Sequence, residues 1–161
     1  MNKPSAIAAL CLAALTACSK PATVARVGAR APDWTMPTSA GQTLELSSLR
    51  GKAVYLNFFA SWCTPCNAEA PDINALQKRY ASRGLAVVGI DELEGRAKTA
   101  GFAKKYGLVY PTIVDSGLLQ TQYAINGLPV HVFIARDGTI QKIRVGEMTH
   151  TEIDAAIRTI L

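Results

Sequence analysis

Cys63 and Cys66 stand two residues apart in FFASWCTPCNAEAP, residues 58–71, with Thr64 and Pro65 between them. Such a pair can clip a metal, staple a chain or exchange electrons. A structural zinc site ordinarily needs four protein ligands, and the only histidines are His131 and His150, neither at zinc-ligand spacing, so no metal is expected. A bridge across two residues closes too small a loop to restrict the unfolded chain much, which weakens the staple. Redox chemistry remains, and it has a mechanism. The apolar run at 53–59 reads as a buried strand and the segment from Thr64 reads as a helix, so Cys63 falls at a helix N-terminus. Free N–H groups and the helix dipole there stabilise a thiolate and lower its pKa from about 8.5 into a range of about 3.5–7.5. Cys63 is the expected attacking sulfur, and Cys66, one turn on and deeper, the resolving one. The dithiol is its own redox centre, and no cofactor is expected. Pro65 stiffens the loop and, with Thr64, tunes the redox poise; Trp62 offers a flat apolar surface beside the reactive sulfur or simply packs.

Several elements must hold that pair. Residues 42–46 read as a short strand and 47–51 as a helical turn. The central strand at 53–59 is nearly continuous in apolar residues, as expected for a strand covered on both faces. A helix over 64–81, with Pro71 expected to kink it, leads to a second buried strand at 85–91. That order implies a parallel pair with a right-handed crossover. A helix at 96–106, a short strand at 111–114 and a short helix at 118–123 follow. The segment after Pro129 reads as a hairpin, VHVFIA and TIQKIRV about the turn Arg136-Asp137-Gly138, and the chain closes on a helix at 151–161 with a capping-box start in Thr149 and Glu152. A parallel half, an antiparallel C-terminal hairpin and helices on the faces define a mixed α/β sandwich.

The 161 residues, 49% hydrophobic and 18% charged, suit one packed domain. Part of the apolar content lies at the N-terminus, where one early lysine precedes an uncharged run over 6–17, the grammar of a signal peptide. The run is shorter than the roughly 20 residues of a spanning helix. It ends on Leu15-Thr16-Ala17-Cys18, which resembles a bacterial lipobox, so residues 1–17 are expected to be cleaved and Cys18 lipidated; Cys11 would be discarded. Residues 18–31 then form a lipidated tether, whose flexible part would reach on the order of 20 Å, and 32–161 the domain. Only Cys63 and Cys66 remain as thiols. Removing Lys3 from the 17 basic residues leaves 16 against 12 acidic ones, scattered and without an aromatic-interleaved stripe, so nucleic acid is not implied.

WCTPC after an apolar strand, together with GARAPDW, ELSSLRGKAVYLNFF, YGLVYPTIVD and GLPVHVFIARDG, resembles the TlpA/ResA-like thiol:disulfide oxidoreductases of the thioredoxin superfamily, from Val27 to the C-terminus. The resemblance implies a thioredoxin-like fold with an N-terminal strand extension. It also implies a cis-proline facing the cysteines at Pro129, with Leu128 before it offering its backbone to a substrate segment; Trp62, Thr64 and Pro65 complete the substrate-facing set. Val130 and His131 stand where many relatives carry threonines. His131 reads as a packing residue, with a proton shuttle or soft-metal ligand as the alternative. Asn57 replaces the buried aspartate common six residues before the first cysteine in thioredoxins and cannot take the proton of Cys66. The ResA-like pattern puts a glutamate at Glu94, expected to have a raised pKa and to exchange protons with Cys66; Asp91 and Glu92 compete for that role.

The activity implied is disulfide reduction in exported clients, cytochrome c maturation among such tasks, by a monomer on the extracytoplasmic or periplasmic face. Its electrons would come from a membrane thiol transporter of the DsbD/CcdA type. Three other readings stay open or fail. A peroxiredoxin needs proline and threonine where this chain has Leu56 and Ala60. A thiol oxidant of the same fold differs only in potential. A copper(I) carrier would use Cys63, Cys66 and His131, although SCO-type carriers space their cysteines by three.

Overall fold

The computed structural model describes residues 24–161; the expected signal peptide and Cys18 lie outside the described residues. A five-stranded sheet forms the centre. Its strands are β3 (Ala53–Phe59), β4 (Leu85–Glu92), β5 (Thr112–Asp115), β6 (Val130–Ile134) and β7 (Ile140–Val145), in the order β5-β4-β3-β6-β7, and a small antiparallel pair, β1 (Thr35–Pro37) with β2 (Thr43–Glu45), precedes it. β3 pairs in parallel with β4 and β4 with β5, while β6 and β7 run antiparallel to their neighbours, as the element order implied. Every residue of β3 is buried, which is why its sequence shows no alternation.

The two faces of β3 carry different partners. Tyr55 and its register partners Val87 and Phe133 share a core with Ile73, Leu76 and Tyr80 of α1 (Thr64–Tyr80) and with Ile153, Ile157 and Ile160 of α4 (His150–Ile160). Phe59 on that face stacks on Phe102 of α2 (Arg96–Tyr106), ring centroids 4.4 Å apart. Gly89 makes the approach possible, because a Cβ there would stand 3.0 Å from the Phe59 ring and 3.0 Å from the Thr112 methyl. Val54, Leu56 and Phe58 point the other way, into a core closed by Trp34, Met36, Leu46 and, from α3 (Leu118–Gln122) and its exit, Leu119, Tyr123 and Ile125. The helices α1, α2 and α4 thus cover one face, and the N-terminal strands with α3 the other.

One expectation changes. The tether predicted to extend to Ala31 is docked from its first described residues. Ala25 N–H bonds Gln122 O at 2.7 Å, Gly28 N–H bonds Ile140 O at 2.8 Å, and Arg30 bridges Thr139. The attachment runs through backbone groups, so it left no apolar period to read. α1 spans the range expected for it, with Pro71 inside. The capping box of α4 is present, with Thr149 Oγ1 accepting from Glu152 N–H and the Glu152 carboxylate from Thr149 N–H.

Candidate active site

β3 ends at Phe59, and the chain turns through Ala60, Ser61 and Trp62 to place Cys63 as the N-cap of α1, with extended backbone (φ −74°, ψ 108°). Its sulfur accepts from Cys66 N–H at 3.3 Å, so a free donor of the first helical turn is aimed at it. The two cysteines form a disulfide, S–S 2.02 Å with Cα atoms 5.3 Å apart. Burial does not separate them as the sequence suggested: Cys63 is 4% exposed and Cys66 3%. What separates them is backbone position, since Cys63 alone caps the helix.

The loop carrying Cys63 is held from two sides. Asn67, one turn into α1, donates from Nδ2 to Ser61 O (2.9 Å) and Cys63 O (2.8 Å), and its Oδ1 accepts from Tyr106 Oη (2.6 Å) and Lys105 Nζ (3.0 Å) of α2. From the loop after β4, the Glu94 carboxylate accepts from Ser61 N–H, and from Ser61 Oγ at 2.8 Å, with Lys98 Nζ at 3.4 Å. Burial alone would raise the Glu94 pKa, but the two Ser61 bonds and the Lys98 ammonium outweigh it and hold the carboxylate below its usual range. This reverses the raised pKa expected from the sequence. The reason is local: Ser61 supplies donors that the spacing argument did not count. Glu94→Ala should lower stability by about 1–2 kcal/mol in urea denaturation, because both Ser61 donors lose a charged acceptor, with Glu94→Gln milder. An alanine variant as stable as the parent would show that the carboxylate does not hold the loop.

Across the site the Leu128–Pro129 bond is cis, as the resemblance implied, and Leu128 packs against the cluster of Cys63, Cys66, Phe59 and Phe102. Trp62 stands out at 70% exposure, so it is a rim rather than a core residue. Thr64 is exposed and Pro65 half-buried beside it. Trp62 and Leu128 both line a groove, together with Glu92, Leu93, Glu94 and Ile125.

The other two carboxylates considered for proton exchange lie on opposite faces of β4. Asp91 is in register with Phe59 and accepts from Thr99 Oγ1 on the α1/α2 face; burial, only partly offset by that bond, raises it to about 6. Glu92 points to the α3 face, where burial and then the charges of Asp115 and Asp91 raise it to about 7. His131 is fully buried in β6. Its Nε2 meets Gly146 O at 3.2 Å and must carry the proton, so Nδ1, 2.7 Å from Tyr55 Oη, accepts from that hydroxyl. Burial drives its pKa down to about 4, which fits the packing role.

Two participants escaped the sequence reading. Asn67 is one. The other is Glu69, three residues after Cys66 and buried, whose Oε1 accepts from Met148 N–H at 2.6 Å while Oε2 lies 3.6 Å from His131 Nε2. Burial lifts its pKa to about 7 against the opposing Met148 bond. A glutamate at i+3 from the second cysteine lies on the same side of α1, a signal that helical spacing alone could have supplied.

A dithiol at the junction of a central strand and a helix, opposite a cis-proline, defines a thiol:disulfide exchange site on a thioredoxin fold. The AhpC/TSA family model matches residues 27–143, and the chain belongs to that family. Within it the chain is 31% identical over 136 residues to the thiol-disulfide oxidoreductase ResA of Bacillus cereus, covering 84% of this chain and 79% of the relative. Among solved structures it is similar to a thiol:disulfide interchange protein of the thioredoxin family from Chlorobium tepidum TLS (TM-score 0.77, 32% identity, 84% of this chain and 97% of that one). It is also similar to a secreted Mycobacterium tuberculosis disulfide oxidoreductase (TM-score 0.72, 28% identity, 78% and 95%). The protein is a thiol:disulfide oxidoreductase whose CxxC pair is Cys63 and Cys66.

Proposed function

We propose that the chain is a lipid-anchored, extracytoplasmic reductase of disulfides in exported polypeptides, with cytochrome c maturation among the tasks it could serve. The observation that carries the proposal is the placement of Cys63 Sγ at the α1 N-terminus, accepting Cys66 N–H at 3.3 Å, beside a groove walled by Trp62 and Leu128. In the reduced protein the Cys63 thiolate attacks one sulfur of a client disulfide, forming Cys63–S–S–client and expelling the second client sulfur as a thiolate. Cys66, deprotonated, attacks Cys63 Sγ, closes the disulfide found here and releases the first client thiol. Two electrons pass to the client, and a membrane dithiol donor of the DsbD/CcdA type restores the pair. Leu128 and Trp62 line the path of the incoming segment; Thr64 and Pro65 sit between the sulfurs; Glu69 and Asp91, with pKa values near neutrality, are the buried groups suited to buffer the Cys66 proton.

The LTAC sequence ending at Cys18 supports export and anchoring, and a secreted relative is consistent with it. The direction of electron flow is tested by equilibrating the protein in glutathione buffers. A potential well below that of the glutathione pool, together with reduction of insulin disulfides by the pre-reduced protein, is the expected result. A potential of about −120 mV, as in a strong oxidant, would reverse the assignment.

A further inference from the structure

We propose that the groove between Trp62 and Leu128 seats a lysine or arginine side chain of the client polypeptide on the carboxyl group of Glu92. The proposal deepens the reductase reading and rests on it, because the groove is lined by Trp62, next to Cys63 in the chain, and by Leu128, which packs against the cysteine pair.

Four carboxylates meet at this end of the sheet, and three are engaged. Asp91 holds Thr99 Oγ1, Glu94 holds Ser61 and Lys98, and Asp115 accepts the N–H groups of Leu119 (3.1 Å) and Gln120 (2.8 Å) at the start of α3. Glu92 is different. It is 7% exposed, lines the groove, and both its oxygens are buried without a hydrogen-bond partner among the described residues. A buried carboxyl with neither oxygen bonded costs free energy that a packed apolar residue would not. A donor-rich cationic head arriving on the client would satisfy both oxygens at once, and an arginine could do so with its paired donors. The apolar walls suit the methylene stem of such a side chain, since Trp62, Leu93 and Ile125 flank the same cavity. Leu93 also holds a left-handed backbone (φ 62°) while its side chain is exposed, and Ala124, just before Ile125, has a left-handed backbone too (φ 51°). Backbone strain of this kind clusters at ligand-binding positions.

The groups facing Glu92 set the pH behaviour. Asp115 on β5 and Asp91 beside it on β4 both favour its protonated form, while Lys98 on α2, which also lines the groove, is drawn to Glu94. Seating a cation favours the ionised form, so below neutrality binding must expel a proton, and affinity for a basic client rises with pH through about 7.

The test measures binding separately from turnover. Short capped peptides, with serine in place of the client cysteine and lysine placed at each neighbouring position in turn, are titrated calorimetrically against the oxidised protein beside a matched norleucine series. The expected result is a preference on the order of tenfold for lysine at one position at about pH 8, reduced at about pH 5.5 and removed by Glu92→Gln. No lysine preference at any position, or a preference that survives Glu92→Gln, overturns the proposal. Failure of the reductase reading shows elsewhere, as absence of insulin reduction by a protein that still discriminates the peptides.

Discussion

A Cys66→Ser protein will react with client disulfide once and stop, retaining the client on Cys63, whereas a Cys63→Ser protein will retain nothing. Both substitutions should lower steady-state disulfide reduction by on the order of a thousandfold or more, because each removes one of the two sulfurs that must end in the product disulfide. The asymmetry between them is the informative part. Cys63 caps α1 and its sulfur is met by the Cys66 N–H, an arrangement that stabilises negative charge at that atom and at no corresponding atom of Cys66. Substitution of Cys66 keeps its backbone donor in place, so the Cys63 thiolate loses its resolving partner but not its stabilisation. Non-reducing electrophoresis followed by mass analysis should therefore find mixed disulfides only with Cys66→Ser, and iodoacetamide at neutral pH should label Cys63 in that variant faster than Cys66 in the other. Equal trapping and equal alkylation by the two variants would remove the helix N-terminus from the mechanism.

Much of this arrangement could be read before any coordinates. The apolar run of β3, the cysteine spacing and the turn residues of the C-terminal hairpin are local signals, and the structure reproduces them within a residue or two at most element ends. The site's wider shell was less legible because its contacts join residues far apart in the chain. Glu94 was chosen by its place after β4, but its ionisation depends on Ser61, a residue 33 positions away with no distinctive spacing. Helical spacing puts Glu69 on the side of α1 that carries Cys66, but its bond to Met148 N–H, 79 positions further on, leaves no sign in the sequence. The docked N-terminal stretch gave no pattern because its bonds run through backbone groups, which every residue but proline carries in full. Period and spacing place elements, and they do not show which of several neighbouring carboxylates is left unpaired.

That distinction makes Glu92 a residue whose removal should improve the fold. Glu92→Leu and Glu92→Gln are each expected to raise stability at pH 8, by about 1–3 kcal/mol, with a smaller gain at pH 5. The sign follows from the direction of the shift. The folded pKa, about 7, lies above the value of 4.5 for a free glutamate, so the native state holds its proton more tightly than the unfolded chain does. Whatever stability this proton supplies is complete below about pH 4.5 and is lost as pH rises to about 7, after which the ionised group remains buried without a partner. Asp91 and Glu69, raised to about 6 and about 7, push the parent in the same direction, and His131, lowered to about 4, opposes them between about pH 4 and 6.5. Glu69 and His131 contribute alike in parent and variant, and Asp91 differs only by the repulsion that Glu92 itself exerts, so the difference between the two proteins reports Glu92 together with its coupling to Asp91 and Asp115. Urea denaturation of both at pH 5 and pH 8 measures it. A variant no more stable than the parent at pH 8 would mean that the carboxylate is already satisfied within the fold, and it would take away the reason to look for a cation in the groove. A gain confined to high pH would instead show a side chain kept at the expense of stability, in the groove that Trp62 lines beside the reactive cysteine.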